Sequence, residues 1–100
     1  MPFKEQMRKM KANYLLENEK NFQFHQMLKA LRKLSKKSRK TVAEDTLISE
    51  NQIVYLESGR VKTPPDRDIL FTLSQYYEFP YELLKDKAKE FVILNLINER

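Results

Sequence analysis

Glycine occurs only once in this chain of 100 residues, at position 59. β-Hairpins and β-sandwiches need several residues that tolerate positive φ, and glycine supplies most of them. A chain with a single glycine is therefore expected to be mostly helical. The chain also has no cysteine, which excludes disulfides, thiol nucleophiles and thiolate metal sites. At this length we expect one domain with one modest apolar core.

The longer helices are predicted by apolar residues that recur every three or four positions. The first helix runs from about residue 21 to residue 35, and its inward residues are Phe24, Met27, Leu28, Leu31 and Leu34. A fourth helix is capped by Asp66 and broken at Phe79 and Pro80. Its inward residues are Ile69, Leu70, Leu73 and Tyr77. Pro80 suits the first turn of a fifth helix, which carries Leu83 and Leu84.

Two short helices are predicted between the first and the fourth. Ser38 is a candidate N-cap for a helix that ends near Thr46. Ser49 is a candidate N-cap for a helix over residues 50–58, which Gly59 terminates. The inward residues of the pair are Val42, Ala43, Ile53 and Leu56. Only residues 47–49 separate the two helices, and this spacing is typical of a helix-turn-helix.

Both ends of the chain carry further apolar residues. Near the N-terminus, a seam with spacings of four and three runs between basic residues, and it consists of Phe3, Met7, Met10 and Tyr14. Three interpretations stay open for it: a helix packed on the core or on a partner, a basic arm on nucleic acid, or a segment on an anionic membrane. Residues 91–97 are apolar almost all round, so they either fold back on the domain or meet another chain. We expect a dimer contact there.

Positive charge is concentrated in the first part of the chain. Residues 1–40 hold 12 Lys and Arg against 3 Asp and Glu, net +9, whereas residues 41–100 hold 7 against 11, net −4. Six of the nine residues from Arg32 to Lys40 are cationic. In a folded domain such a cluster attracts a polyanion, although a solvated helix end has the same composition.

The outward face of the third helix carries groups that can read DNA bases. At about 100° per residue, the face opposite Ile53 and Leu56 presents Asn51, Val54, Tyr55 and Ser58. An amide can pair with adenine, and methyl or aromatic groups can contact the thymine methyl group. Glu50, at the N-terminal edge, either accepts from a cytosine amino group or only interacts with the helix dipole.

The segment from Phe24 to Gly59 resembles the Xre family, the Cro/repressor-type helix-turn-helix domain of phage repressors and bacterial regulators. The matching positions are Leu28, Arg32, Ser38, Val42, Ala43, Ser49, Ile53, Leu56, Glu57 and Gly59, and a looser likeness continues to Leu84. The resemblance implies an all-α, five-helix, lambda-repressor-like DNA-binding domain, here with an extra N-terminal helical segment. It also implies a sequence-specific transcriptional regulator, a repressor, that binds double-stranded DNA as a homodimer.

The same resemblance implies a set of DNA contacts. Base contacts fall on Glu50, Asn51, Val54 and Tyr55. In the family, the position of Arg39 contacts phosphate from the start of the second helix, and the positions after Gly59 contact the DNA backbone. With the basic run included, the predicted phosphate contacts are Arg32, Lys36, Lys37, Arg39, Lys40, Arg60 and Lys62. Arg32 and Glu57 occupy positions that form an ion pair in the family.

Two departures from the family pattern fall in turns. Leu47 stands where the family commonly has glycine, so the turn must avoid positive φ or accept about 1 kcal/mol of strain. Lys36 and Lys37 replace a usual Gly-Leu pair before Ser38, which removes a core residue and adds two charges.

These patterns divide the chain into a basic extension (residues 1–21), a helix-turn-helix domain (22–85) and an apolar C-terminal helix (86–100) suited to dimerisation. Neither a secretion signal nor a stretch long enough to span a membrane is recognisable. We therefore expect a cytoplasmic protein that neither enters a membrane nor requires a cofactor or metal.

Two other classes of function compete with DNA binding. Catalysis is not expected, because His25 is the only histidine and is interpreted as a surface or helix-packing residue. The adjacent acids Glu44 and Asp45 diverge by about 100° on their helix, which does not suit shared proton chemistry. The stronger alternative is an antitoxin of a toxin–antitoxin module, which would bind a toxin through one of the apolar ends and repress its own promoter.

Overall fold

The computed structural model describes residues 17–98. One turn of 3-10 helix, Glu19–Asn21, precedes five α-helices. These are α1 (Phe24–Leu34), α2 (Arg39–Thr46), α3 (Glu50–Leu56), α4 (Arg67–Tyr76) and α5 (Tyr81–Asn98). The described part of the chain contains no β-strand, which confirms the predicted all-α, five-helix fold. The N-terminal seam from Phe3 to Tyr14 lies outside the described residues.

The core consists of the predicted apolar stripes together with part of the C-terminal segment. Its buried apolar side chains are Phe24, Met27, Leu28, Leu31, Val42, Ile53, Leu56, Val61, Leu70, Leu73, Tyr77, Phe79, Leu84, Ala88, Phe91 and Val92. The short helices α2 and α3 supply only three of these, Val42, Ile53 and Leu56. Most of the surface of this pair is therefore directed away from the core.

Side-chain caps fix where three of the helices begin, as predicted. Ser38 Oγ accepts from Thr41 N at 3.1 Å and starts α2. Ser49 Oγ accepts from Gln52 N at 3.1 Å and starts α3. Asp66 Oδ1 accepts from Asp68 N at 2.8 Å and starts α4. Each bond satisfies a backbone N–H that has no partner within its own helix.

The sequence allowed either a turn without positive φ between α2 and α3 or a strained one, and the structure has the strained turn. Leu47 has φ 63° and is 92% exposed, so a leucine stands in the left-handed region without burying its side chain. Lys36 also has a positive φ, 57°, in the loop before Ser38. The left-handed conformation costs a residue other than glycine about 1 to 2 kcal/mol. Both turns therefore place a residue other than glycine in the left-handed region.

α3 is slightly shorter than predicted: it ends at Leu56, two residues before Ser58. Ser58 Oγ donates to Tyr55 O at 2.6 Å, and the backbone N–H of Ser58 donates to the same carbonyl at 3.1 Å. These local bonds compete with continuation of the helix. The chain then turns through Gly59, whose φ of 79° confirms that this glycine closes the segment.

The C-terminal part of the chain was predicted as a fifth helix carrying Leu83 and Leu84 and an apolar C-terminal helix over residues 86–100. It forms one helix of 18 residues, α5, because residues 81–98 contain neither glycine nor proline to interrupt it. The expected division between residues 85 and 86 therefore falls inside a continuous helix. Phe91 and Val92 fold back into the core, whereas Ile93, Leu94, Leu96 and Ile97 are 45–59% exposed.

Candidate nucleic-acid interface

α3 has one buried side and one exposed side, as the helical spacing requires. Ile53 and Leu56 are 2% and 1% exposed and fix the helix to the core. Four side chains predicted to contact bases lie on the exposed side: Glu50, Asn51, Val54 and Tyr55. The structure therefore brings an acid, an amide, a branched aliphatic group and an aromatic ring together on a single short helix.

Tyr55 is exposed and makes one hydrogen bond through its hydroxyl. The residue is 38% exposed, and its hydroxyl accepts a hydrogen bond from the backbone N–H of Lys62 at 3.3 Å. The hydroxyl is thus engaged within the protein. The exposed part of the ring is left to make an apolar contact, such as one with a thymine methyl group.

Exposed cations lie before and after α3 along the chain. Lys36, Lys37 and Lys40 are exposed in or beside the first turn of α2, and Arg60 and Lys62 are exposed after α3. At the start of α2, the backbone N–H groups and the positive end of the helix dipole add to the attraction for an anion. A polyanion that follows the surface from α2 to residue 62 would meet positive charge along its path.

Arg32 is placed differently from the other predicted phosphate contacts. Its guanidinium donates from Nε to Glu57 Oε2 at 2.9 Å, from Nη2 to Glu57 Oε1 at 3.0 Å and from Nη1 to Lys37 O at 3.1 Å. The side chain is only 11% exposed, and its hydrogen bonds to Glu57 raise the pKa of Arg32. Three of its five N–H donors are used inside the protein, so the geometry favours an internal role for Arg32 over the predicted phosphate contact. The ion pair with Glu57 does fit, and it joins α1 to the end of α3.

Arg39 also approaches Glu57. Its Nε lies 3.4 Å from Glu57 Oε1, and its side chain is 39% exposed. The buried carboxylate therefore lies between two guanidinium groups. Arg39 Nε is buried and makes no hydrogen bond, whereas the side chain as a whole is partly exposed.

The segment Gly59–Lys62, here called the basic loop, follows α3. Val61 is fully buried between the exposed residues Arg60 and Lys62. A Cβ atom on Gly59 would lie 3.3 Å from the ring of His25. That ring lies against Phe91, with a distance of 4.8 Å between ring centroids, and burial followed by the charge of Lys29 lowers the pKa of His25. His25 is thus used in helix packing.

One contact of this region has no counterpart in the sequence pattern. Asn95 Nδ2 donates to the carbonyl of Val61 at 2.7 Å, although the two residues are 34 positions apart. The only available signal was an amide within an otherwise apolar run, FVILNLI. An isolated amide in an apolar run does not predict which group it will hydrogen-bond.

The acids considered for catalysis take separate places. Asp45 Oδ2 accepts from the hydroxyl of Tyr76 at 2.6 Å, which joins α2 to α4, and Glu44 is exposed. Burial, followed by this hydrogen bond, raises the pKa of Tyr76 to about 12.

Among residues 17–98, no group of three or more potential metal ligands is brought together. None of the described helices is long and apolar enough to cross a bilayer.

Comparisons with known proteins agree with this geometry. A family model described as a helix-turn-helix domain matches residues 25–90, about two thirds of the chain. Searches of curated proteins and of solved structures returned no match. Helix-turn-helix domains of this kind use their second helix to contact DNA. With its two short capped helices and its match over residues 25–90, the chain belongs to this family of helix-turn-helix domains.

Proposed function

We propose that this protein is a sequence-specific regulator of transcription, a repressor of the Xre or Cro/repressor type that binds double-stranded DNA as a homodimer. The observation that carries the proposal is the exposed face of α3, which holds four groups suited to base contact between two sets of exposed cations. Repression follows when the bound protein covers the promoter against polymerase.

Phosphate contacts supply most of the affinity in this proposal. The contributing side chains are Lys36, Lys37, Arg39, Lys40, Arg60 and Lys62. Each neutralised phosphate releases counterions, so six contacts give a slope of log K against log salt of about −5 for each domain. These contacts fix the register of the protein on the duplex without reading its sequence.

Base contacts from α3 supply the sequence preference. Asn51 pairs with adenine through its amide, and Val54 and the ring of Tyr55 contact thymine methyl groups. Glu50 accepts from a cytosine amino group, with its interaction with the N-terminal end of the helix as the alternative role. Each good base contact contributes about 1 to 3 kcal/mol of discrimination.

The apolar face of α5 is the surface that we assign to the dimer. Its four exposed residues, Ile93, Leu94, Leu96 and Ile97, lie within two helical turns at spacings that bring them to one side. A second copy covers them by symmetry, because a two-fold interface uses the same patch on both subunits. The two α3 helices would then enter successive major grooves about 34 Å apart on an inverted repeat.

The same exposed face favours an antitoxin as the second candidate function. In that case a toxin would occupy the α5 face, while α3 would still bind the promoter of the module. A small neighbouring reading frame for a toxin favours this alternative, whereas a divergent promoter flanked by inverted repeats favours a regulator alone.

Fluorescence anisotropy with labelled duplexes tests the proposal. The duplexes are the DNA upstream of the protein's own reading frame and a random sequence of equal length, each titrated at several salt concentrations. We expect tighter binding to the upstream duplex and the steep salt dependence given above. Protein that is monomeric and ignores both duplexes at low salt would overturn the proposal in favour of a pure protein-interaction module.

A further inference from the structure

We propose that Asn95 is a positioning residue for DNA binding, because it fixes the basic loop against α5 so that Arg60 and Lys62 face the DNA backbone. This inference rests on the proposed DNA-binding function. It assigns to α5 a role in the interface although α5 carries none of the proposed contact residues.

The basic loop is attached to α3 on one side. Ser58 Oγ accepts from the backbone N–H of Arg60 at 3.1 Å, and Tyr55 Oη accepts from the backbone N–H of Lys62 at 3.3 Å. Both bonds lie at the exposed surface, where water competes for the same donors. They give the loop its direction but hold it only weakly.

α5 holds the basic loop on the other side. The side chain of Val61 is fully buried, and its carbonyl accepts from Asn95 Nδ2 at 2.7 Å in a partly buried setting. Val61 is buried, whereas its two neighbours in the chain, Arg60 and Lys62, are exposed. Fixing one residue of the loop therefore orients both cations.

The start of the basic loop also depends on α5. Gly59 lies against the ring of His25, and His25 lies against Phe91. Phe91 and Asn95 are four residues apart, so they occupy one face of α5 on successive turns. Two points on this face thus locate Gly59, through His25, and Val61, directly.

The chemistry at position 95 requires a donor. Leucine branches at Cγ as asparagine does, although its methyl groups are bulkier, and it leaves the partly buried Val61 carbonyl without its partner. Aspartate would place a carboxylate against that carbonyl, and glutamine keeps the amide on a longer side chain. Asn95→Leu is therefore the test variant and Asn95→Gln the conservative control.

A first experiment examines the loop without DNA. Limited trypsin digestion cleaves after Arg60 and Lys62, and cleavage of a native protein follows the population of the locally open form. We expect Asn95→Leu to cleave about five times faster at these two sites, the effect of losing one ordinary hydrogen bond. Cleavage after Lys36 and Lys40 is the internal control and should not change. Equal acceleration at all four sites, or at none, would contradict a local role for Asn95.

A second experiment measures the consequence for DNA binding. The double variant Arg60→Ala/Lys62→Ala should make the salt slope on a random duplex less steep by about 2, since two phosphate contacts are removed. Asn95→Leu should weaken binding to the upstream and random duplexes alike, by up to about five-fold, and keep the same preferred sequence, while Asn95→Gln retains more of the wild-type affinity.

The decisive comparison adds Asn95→Leu to the double variant. If Asn95 acts through Arg60 and Lys62, it has nothing further to weaken in that background, and the triple and double variants bind alike. An additional loss in the triple variant would show a general structural effect and overturn the inference. If Asn95→Leu gives the expected change in trypsin cleavage but the wild-type protein does not bind duplex DNA, the proposed function is refuted and the attachment of the loop by Asn95 stands.

Discussion

Glu57 is the residue on which the joint between α1 and α3 depends. Its carboxylate accepts hydrogen bonds from Arg32 and lies 3.4 Å from Arg39 Nε, and its side chain is 2% exposed. Removing the charge of one partner in a buried pair leaves the other uncompensated and costs about 3 to 5 kcal/mol when the partner is fully lost. Glutamine keeps one acceptor, so we expect Glu57→Gln to lower the free energy of unfolding by about 2 kcal/mol, measured by urea denaturation.

The matched control for Glu57→Gln is Glu44→Gln, the same substitution at an exposed position of α2. Its effect on the free energy of unfolding should stay within about 0.5 kcal/mol. Equal effects of the two substitutions would mean that the guanidinium groups do not depend on Glu57.

Leu47 affects the free energy of unfolding through its backbone conformation. It combines a φ of 63° with a side chain that is 92% exposed, so it contributes strain and little packing. Asparagine tolerates the left-handed region better. We therefore expect Leu47→Asn to raise the free energy of unfolding by about 0.5 to 1 kcal/mol. Leu47→Ala lacks the short polar side chain by which asparagine hydrogen-bonds locally in the left-handed region, so it should give no such gain. A destabilised Leu47→Asn protein in urea denaturation would refute the argument from strain.

At the scale of elements, α2 and α3 divide the work of the proposed interface. Asn51 lies on the exposed face of α3, and Lys40 lies in the first turn of α2. We expect Asn51→Ala to relax the preference at one base pair by about 1 to 3 kcal/mol and Lys40→Ala to weaken binding to all sequences alike. Competition binding with a set of single-base variants of the preferred site measures both effects. Parallel losses on specific and random DNA for the two variants would contradict this division.

The elements themselves show what a sequence pattern can and cannot predict. The starts at Ser38, Ser49 and Asp66 were predictable because each cap is a local bond between residues two or three positions apart. The length of α5 was missed because apolar spacing does not say whether two adjacent helical segments are continuous. The bond between Asn95 and Val61 depends on how α5 lies beside the basic loop, which no local rule contains.

The proposed site follows the same division. The exposed face of α3 came from helical spacing together with a family resemblance, and both use short-range information. The internal role of Arg32 could be recognised only from the three-dimensional structure. A basic residue in a cationic run has the same sequence signal whether it is exposed or buried.

At the scale of the whole molecule, the proposed dimer through the apolar face of α5 would determine whether the protein reads one half-site or two. Linking two DNA-binding units raises the overall affinity by about 10² to 10⁴ without any new contact to DNA, because the second unit binds at high effective concentration. The length of the preferred operator therefore depends on a surface that we do not expect to touch DNA.

Ile93→Glu tests that dependence, since it places a charge on a residue that is 57% exposed at the centre of this face. We expect the variant to sediment as a monomer in analytical ultracentrifugation and to lose about 100-fold in affinity for an inverted repeat, while affinity for a single half-site is unchanged. The control is Phe71→Glu, which alters an apolar side chain of similar exposure, 51%, on α4 and should leave the dimer intact. A dimer that survives Ile93→Glu, or one that Phe71→Glu dissociates, would place the interface elsewhere. Because the half-site measurement does not depend on the dimer, a loss there would reveal damage to the domain itself, so the two causes are separated by one titration.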